Sequence, residues 1–352
     1  MNIIYQSEDN TLFTSEWNEY VHANNLSYRY LSLYIQYSID YSENMVDNKS
    51  FIIMENNKCV GICFLPIEKI NNTIQISLAN SFTVAPKSSN NRIEKKIYQN
   101  IDQICTNESV QKIMFYIDPL TLDENKFNSL LAFDFIDTST TDGIIDLTLE
   151  RNRLWTNLNK SYKPLINGIK KDKNFEIILF DKTCANYDAH EEYRKLHRKC
   201  SGKSTRSKGT FAKQYQMILE GNALLIGLKY DKKFIGFNYF FHNNKTAIYA
   251  SGADDPNFEG SKIPIYHPIL WTAIEYYHDN KYHSLELSQP CGYNEINGFL
   301  DYLDKKQKNI SSFKRGMGAN MTSFYRGIKY FNQDLLIRDI DHFKDQVKGI
   351  DL

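Results

Sequence analysis

Apolar and polar residues alternate in two stretches that share one layout, one stretch in each half of the chain. In the first half, residues 50–69 read as a hairpin, in which two apolar strands flank a polar turn. In the second half, residues 223–252 repeat this arrangement and add a third strand after a second turn. Gly61 and Gly236 occupy matching places in the two second strands, and a glycine inside a strand typically marks a bulge or a close backbone approach.

Both hairpins are followed by the same series of elements, namely a further strand, a helix and an apolar strand. We predict this series at residues 73–84, 91–105 and 112–117 in the first half, and at 246–250, 264–278 and 284–287 in the second. The helix at 264–278 is the clearest, because its apolar residues recur at helical spacing and form one stripe. A duplicated order of this length predicts two similar domains rather than a solenoid, whose repeats are shorter.

The join between the halves falls near residues 149–154, where a strand at 144–149 closes the first half and a helix opens the second. We therefore predict an α/β protein with mixed sheets and two domains, residues 1–150 and 151–352. A chain of 352 residues is long enough for two domains of ordinary size. Its 42% hydrophobic and 24% charged residues are typical of a globular protein.

Charge and cysteine content narrow the class of protein. Lys and Arg number 42, as do Asp and Glu, and this balance predicts no general affinity for nucleic acid, DNA included, or for anionic membranes. The six cysteines form no CxxC pair, so we interpret them as reduced thiols. The N-terminus lacks a signal-peptide pattern, and no apolar run approaches the ~20 residues of a membrane-spanning helix. We expect a cytoplasmic location.

Five segments, mainly in the second half, resemble FemABX-type proteins in their order and spacing. They are a Trp-containing helix with spaced basic residues leading into a strand, a helix followed by a basic loop, the hairpin with a strand ending in Gly-Ala, the next helix and strand, and a closing Phe-Lys…Gly segment (154–177, 190–218, 224–256, 267–288 and 311–318). The first half resembles the family only by layout. The resemblance implies two tandem GNAT-like domains with most of the active site in the second.

The same resemblance implies an acyltransferase and leaves two donors open. One branch of the family transfers amino acids from charged tRNA to peptidoglycan precursors. The other contains acyltransferases associated with acyl-CoA donors and with amino sugars and other amines. The chain lacks the long coiled-coil insertion of some peptidoglycan members. Residues 258–268 also depart from the Gly-rich pyrophosphate-binding stretch usual in GNAT enzymes.

A basic loop between two glycines is the first candidate site. Lys203, Arg206 and Lys208 alternate there with hydroxyl residues, a combination that suits the phosphate of CoA or of a nucleotide-sugar. Arg206 is the best single phosphate ligand, because its planar fork binds bidentately. The alternative is a solvated surface loop.

Asp254, Asp255 and His267 are the candidates for general base in acyl transfer to an amine, which must lose a proton. The Asp residues end a strand just before the helix that holds His267. The alternatives are a turn built by Asp255 with Pro256 and Asn257, and a His267 satisfied within its own helix.

Further candidate binding residues lie near these positions. Glu286 alternates with apolar neighbours in its strand, so it needs a partner or ligand if it is buried and none if it faces solvent. Lys314 offers a cation to an anionic substrate, or else lies in a surface turn. The candidate binding set is completed by one strand-end residue and three aromatic residues (Ser288, Tyr249, Tyr266 and Trp271).

The leading functional hypothesis is N-acyl transfer from an acyl-CoA to an amine, such as a free or nucleotide-linked amino sugar for a bacterial surface glycan. The second hypothesis is tRNA-dependent aminoacyl transfer, which requires a broad basic surface. The third is a non-catalytic binding module with the same fold. No GxSxG, HExxH or P-loop motif stands in a suitable context, and no metal site is expected.

Overall fold

The computed structural model describes residues 1–121, 127–288 and 305–348. It is built of mixed sheets with helices packed on them, as predicted. The described helices are α1 Asn10–Ala23, α2 Ser32–Tyr41, α3 Asn91–Asn107, α4 Arg151–Asn157, α5 Tyr162–Lys171, α6 Tyr187–Ser201, α7 Lys208–Glu220, α8 Tyr266–Asp279, α9 Lys305–Gly316 and α10 Gln333–Lys348.

Eighteen strands are assigned in the same residues. They are β1 Asn2–Tyr5, β2 Met45–Asn48, β3 Phe51–Glu55, β4 Lys58–Cys63, β5 Pro66–Ile70, β6 Thr73–Ile76, β7 Thr83–Val84, β8 Lys87–Ser88, β9 Lys112–Tyr116, β10 Ile136–Asp137, β11 Thr140–Asp146, β12 Phe175–Phe180, β13 Ala223–Tyr230, β14 Lys233–Asn243, β15 Thr246–Asp254, β16 Ser284–Glu286, β17 Asn320–Phe324 and β18 Arg326–Tyr330.

The described residues divide into two compact units, the first formed by 1–140 and 323–348 and the second by 141–288 and 305–322. Within the described residues, the boundaries between the units fall near residues 140 and 322. The division at residue 150 stays a prediction about which segments fold independently. No described helix has the length and apolarity needed to cross a membrane.

The first unit holds a four-stranded sheet, β1-β3-β4-β8, and a second sheet in the order β10-β18-β9-β6-β5-β2, with β7 also pairing with β9. Helix α3 packs an isoleucine stripe against the core, and the Asn90 side chain caps its first turn by accepting from the Ile93 amide at 3.1 Å. Gly61 permits this contact, because a Cβ there would lie 2.9 Å from Ile93 Cγ2. The predicted role of the strand glycine as a point of close approach is confirmed.

The predicted strand at 73–84 is wrong as a single element, because a tight turn divides it into β6 and β7. Ala79 and Asn80 have φ values of 50° and 59°, and Leu78 and Ser81 exchange backbone hydrogen bonds around them. The fully buried Glu68 carboxylate accepts from the Ala79 and Asn80 amides at 2.8 and 2.9 Å. A buried carboxylate from another strand therefore stabilises a turn that the local sequence does not announce.

The second unit holds one seven-stranded sheet in the order β12-β13-β14-β15-β16-β11-β17. Its main core lies between the sheet and helices α5 and α8 (Leu224, Ile226, Phe240, Ile269, Leu270 and Ile274 among others). Helix α6 lies against β13, β14 and β15, where Tyr193 contacts Phe237 and Tyr239. Helix α7 lies against β13, and its Phe211 contacts Tyr193. Gly236 is again a point of close approach, since a Cβ there would lie 2.2 Å from Ile265 Cγ2.

The five cysteines in the described residues are free thiols (Cys59, Cys63, Cys105, Cys184 and Cys200). Burial raises the pKa of the Cys59 thiol to about 12. Cys63 is fully buried, as expected for a small apolar core residue. The sixth, Cys291, lies outside the described residues.

Candidate functional site

Strands β15 and β16 run parallel, but they pair over only three positions, where Thr246–Ile248 face Ser284–Glu286. Strand β16 ends at Glu286, whereas β15 continues to Asp254. The two strands therefore part from Tyr249 onward, and the described residues provide no ladder partner for that edge of β15. A parting of parallel strands in the middle of a sheet leaves a cleft with exposed backbone groups, which is a natural place for a ligand.

A bulge at Ala250 decides which side chains face this cleft. Phe240 pairs with Tyr249 but Tyr239 pairs with Ser251, so β15 carries one extra residue at that point. Because side chains alternate along a strand, the extra residue places Tyr249 and Asp254 on the same face, towards α8. Ser251 faces the opposite side, towards α6. The bulge therefore assembles the candidate site.

Asp254 lies at the end of β15 and is joined to α8 by a hydrogen bond. The Tyr266 hydroxyl donates to Asp254 Oδ1 at 2.7 Å, and the Cys200 thiol donates to the same oxygen at 3.2 Å. Burial, with Tyr249 and Asp254 nearby, raises the pKa of Tyr266, so its hydroxyl keeps its proton and donates. The structure brings together two sequence-predicted residues, a carboxylate and a tyrosine twelve positions apart.

Asp255, the next residue, adopts the turn arrangement that was its alternative interpretation. Its carboxylate accepts from the Asn257 amide at 3.0 Å and pairs with Lys199. Burial acts to raise the pKa of Asp255, but the hydrogen bonds from Lys199 and Asn257 outweigh it and lower the pKa. Asp255 thus caps a short 3₁₀ turn, Pro256–Phe258, and is committed to that structure.

Three side chains converge on the space above Gly252. A Cβ at this position would lie 2.5 Å from the Tyr249 hydroxyl, 2.7 Å from Tyr266 Cε1 and 3.1 Å from Asn238 Oδ1. Asn238 is fully buried in the middle of β14, and neither atom of its amide has a hydrogen-bond partner among the described residues. An unpaired buried amide lowers the stability of the fold by about 1–3 kcal/mol. Its presence here indicates that the space above Gly252 can offer hydrogen bonds to a ligand.

Gly252→Ala is expected to destabilise the fold by about 1–3 kcal/mol, because the methyl group displaces the Tyr249 and Tyr266 side chains. Gly168→Ala is the matched control, since no atom lies within 4 Å of a Cβ at that position in α5. It should stabilise the fold by about 0.5–1 kcal/mol. Thermal unfolding of both variants tests this, and an unchanged or raised melting temperature for Gly252→Ala would contradict it.

Lys314 reaches the cleft from α9, so the surface-turn alternative for it is wrong. Its ammonium donates to the Ser288 carbonyl at 2.8 Å and lies 5.9 Å from the Tyr249 ring centre. Burial lowers the pKa of Lys314 to about 8, although Asp142 and Glu286 act to raise it. Glu286 is only 2% exposed, which excludes the solvent-facing alternative for that residue.

His267 is held in an aromatic setting on the first turn of α8. Its ring packs edge-on against Tyr162 at 4.5 Å and Phe313 at 5.0 Å. Burial lowers the pKa of His267, which favours a neutral imidazole. Trp271, one turn further on, is 3% exposed and packs edge-on against Trp155. It is therefore a core residue that anchors α8 to the rest of the second unit.

The basic loop divides into one inward-facing and two outward-facing cations. Arg206 is 9% exposed, and its guanidinium lies 4.5 Å from the Phe211 ring centre and donates to the Tyr193 hydroxyl at 3.2 Å. The structure therefore does not present Arg206 as an open phosphate fork, because cation–π packing and a hydrogen bond direct it inward. Lys203 and Lys208 are exposed.

Sequence reasoning missed Asn238, Tyr193 and Cys200 as neighbours of the site. The available signal for Asn238 was a lone polar residue inside the otherwise apolar strand 234–241. Tyr193 and Cys200 lie on α6 and carry no such local signal. In residues 1–121, 127–288 and 305–348, no group of three or more His, Cys, Asp or Glu side chains is placed to hold a metal ion.

Comparison with known proteins identifies the fold. No family model matches the chain, and no curated protein sequence matches it. Among solved structures, FemX matches with a TM-score of 0.64 and 13% identity over 96% of this chain and 99% of its own. A tandem GNAT protein from the clavulanic acid biosynthesis pathway, described without AcCoA, matches at 0.54 and 9% over 94% and 98%. L-PGS from Bacillus licheniformis matches at 0.53 and 10% over 88% and 95%.

The predicted fold, an α/β protein with two tandem GNAT-like domains, is thereby confirmed. Each of these three similarities extends over most of both chains, so they concern the whole architecture. At 9–13% identity the likeness establishes the fold and leaves the chemistry to the residues of the site.

Proposed function

We propose that this chain is an N-acyltransferase that joins an acyl group to an amine in the cleft where β15 parts from β16. The observation that carries the proposal is the convergence of the Asp254–Tyr266 pair and Lys314 with Tyr249 at that cleft. An acyl transfer to an amine needs a base for the amine and donors for the developing oxyanion. The Asp254–Tyr266 pair supplies the base, and Lys314 with Tyr249 supplies the oxyanion donors.

In the proposed reaction, the neutral amine nitrogen attacks the carbonyl carbon of the donor and forms the new C–N bond. Asp254 takes the proton that the ammonium loses, while Tyr266 holds the carboxylate in place. The C–S bond of a thioester, or the C–O bond of an ester, then breaks. Asp254 passes this first proton to solvent, and after the C–N bond has formed it takes the second proton that the nitrogen must lose to become an amide. The leaving sulfur or oxygen receives that second proton, so the site returns to its initial state.

The tetrahedral intermediate carries a negative oxygen that must be stabilised. The Lys314 ammonium and the Tyr249 hydroxyl are the charged and neutral donors at the cleft. Burial raises the pKa of Tyr249, so its proton remains available for donation. A half-buried ammonium acts in a low-dielectric setting, where it stabilises an oxyanion more strongly than it would in water.

For the donor we propose an acyl-CoA such as acetyl-CoA, and for the acceptor an amino sugar, free or nucleotide-linked, of a bacterial surface glycan. The similar fold of the tandem GNAT protein, for which AcCoA is the ligand named, supports a CoA donor. The first turn of α8 supports it as well, because no side chain caps it, so the N–H groups that remain beside Pro268 can donate to an anion. Lys203 and Lys208 are the exposed cations of the basic loop.

Aminoacyl transfer from a charged tRNA is the second candidate, and a local basic surface favours it. Residues 151–173, which include α4 and α5, contain seven Lys or Arg and one Asp. Several of these cations are exposed (Arg151, Arg153, Lys160, Lys170, Lys171 and Lys173). This segment offers the positive field for a phosphate backbone that the zero net charge of the whole chain conceals.

A thermal shift screen with acetyl-CoA, CoA, nucleotide-sugars and charged tRNA separates these donors. A donor at 100 times its Kd stabilises the fold by about 2.7 kcal/mol, which raises the melting temperature measurably. We expect acetyl-CoA to stabilise the chain and to release free thiol when an amino sugar is added. Stabilisation by charged tRNA alone would replace the CoA proposal with the second candidate.

The non-catalytic alternative is tested in the same screen. A donor that stabilises the chain but yields no acylated amine with any acceptor indicates a binding module. No response to any of the four ligands would overturn the acyltransferase proposal. Uncharged tRNA is added as a control, because stabilisation by it would reflect binding of the phosphate backbone and not of the aminoacyl group.

A further inference from the structure

Ser251, the residue directly after the bulge in β15, faces away from the cleft and bonds to α6. Its hydroxyl and that of Tyr193 are 2.5 Å apart. Ser251 is also the cross-strand partner of Tyr239, whose ring stacks on Tyr193 with centres 6.0 Å apart and planes 13° apart. One helix residue therefore contacts both strands at the bulge, from the opposite side of the sheet.

Tyr193 is a rigid support for this contact. Its side chain is fully buried, and Phe211 and Phe237 pack edge-on against it at 5.8 and 6.0 Å. Arg206 Nη2 donates to the Tyr193 hydroxyl at 3.2 Å. Because a guanidinium only donates, the tyrosine oxygen accepts this bond and its own proton is left for Ser251. Donation can then run from Arg206 to Tyr193 and from Tyr193 to Ser251.

The position of the bulge matters to the site, because it determines the face of the sheet on which each later residue of β15 lies. Loss of the extra residue would turn Ser251 towards the cleft and Gly252 and Asp254 away from Tyr249. The Tyr193–Ser251 bond opposes that slip, since it requires Ser251 to face α6. The contact thus acts on Asp254 and Tyr249 without touching either.

We propose that Tyr193 and Ser251, oriented by Arg206, are positioning residues of the acyl-transfer site, which hold the β15 bulge from the far side of the sheet. This inference rests on the proposed function for its kinetic consequence. It also assigns Arg206 a role other than phosphate binding. A displacement of about 1 Å at a reacting group lowers a rate by up to about 100-fold.

Tyr193→Phe keeps the packed ring and removes only the hydroxyl. We expect kcat to fall 10- to 100-fold while KM changes less than 3-fold, because Asp254 is misplaced relative to bound substrate. Ser251→Ala should give the same loss, and the double variant no further loss, since both changes remove one bond. Ser251→Thr keeps a hydroxyl and should retain most of the activity.

Tyr215→Phe is the matched control, a tyrosine of the same aromatic cluster whose ring packs on His190 at 5.5 Å. It should leave kcat within 2-fold. An equal loss in Tyr215→Phe, a kcat for Tyr193→Phe within 2-fold of the wild-type value, or additive losses in the double variant would overturn the positioning role.

Amide hydrogen exchange provides a readout that does not depend on the reaction. Tyr193→Phe should speed exchange in a peptide covering residues 249–254 and leave residues 224–229 of β13 unchanged. If the wild-type chain transfers no acyl group, the proposed function fails while this measurement still decides the role of Tyr193. Unchanged exchange at 249–254 would overturn that role even in an active enzyme.

Discussion

Asp254→Asn is expected to lower kcat for acyl transfer by about 10²–10⁴-fold, the range typical of a lost general base. Asparagine has nearly the shape of aspartate and can still accept from the Tyr266 hydroxyl, which now bonds to Asp254 at 2.7 Å. It cannot take the proton that the ammonium must lose before the amine attacks. Binding of the donor should therefore persist while turnover is lost. Steady-state kinetics together with a donor titration measure the two effects separately.

Asp255→Asn is the matched control for this change. An asparagine still caps the turn through the Asn257 amide, and only the partly exposed pair with Lys199 is removed. We expect kcat within about 3-fold of the wild-type value and little change in stability. A large loss for Asp255→Asn with normal turnover for Asp254→Asn would show that Asp255, and not Asp254, is the general base. Equal and small decreases in kcat for the two variants would exclude both carboxylates as the general base.

The order of elements in each half could be predicted from the sequence, because hairpins and amphipathic helices have local signals. The turn that divides residues 73–84 could not, since Glu68 from another strand stabilises it. The helical form of residues 311–316 was also missed. That segment is short and polar, and Phe313 and Lys314 give it contacts with the site that the local sequence does not show.

Some residues of the candidate site were named from the sequence, but its geometry was predicted only in part. Asp254, Tyr266 and Lys314 were named from the sequence, and the structure brings the first two into contact. The bulge at Ala250 gives no sequence signal of its own, yet it decides that Tyr249 and Asp254 share a face. The inward course of Arg206 depends on Phe211 and Tyr193, which approach it only in the folded chain.

Lys314→Met should lower kcat by about 10²–10³-fold, because the site loses its charged oxyanion donor while methionine fills a similar volume. Burial lowers the pKa of Lys314 to about 8, against Asp142 and Glu286, which raise it. Below this pH the group is charged, and above it the group is neutral. The wild-type rate should therefore fall as pH rises through about 8. A pH profile of kcat between 6 and 10 measures this limb.

Lys314→Arg makes the assignment specific. A guanidinium keeps its charge throughout this pH range, so the alkaline limb near pH 8 should disappear even if the absolute rate is lower. Lys308→Met, a change at an exposed lysine of the same helix, should leave both rate and profile unchanged. A limb near pH 8 that survives in Lys314→Arg would show that another group titrates there. In that case the ammonium of Lys314 would not be the group that stabilises the oxyanion.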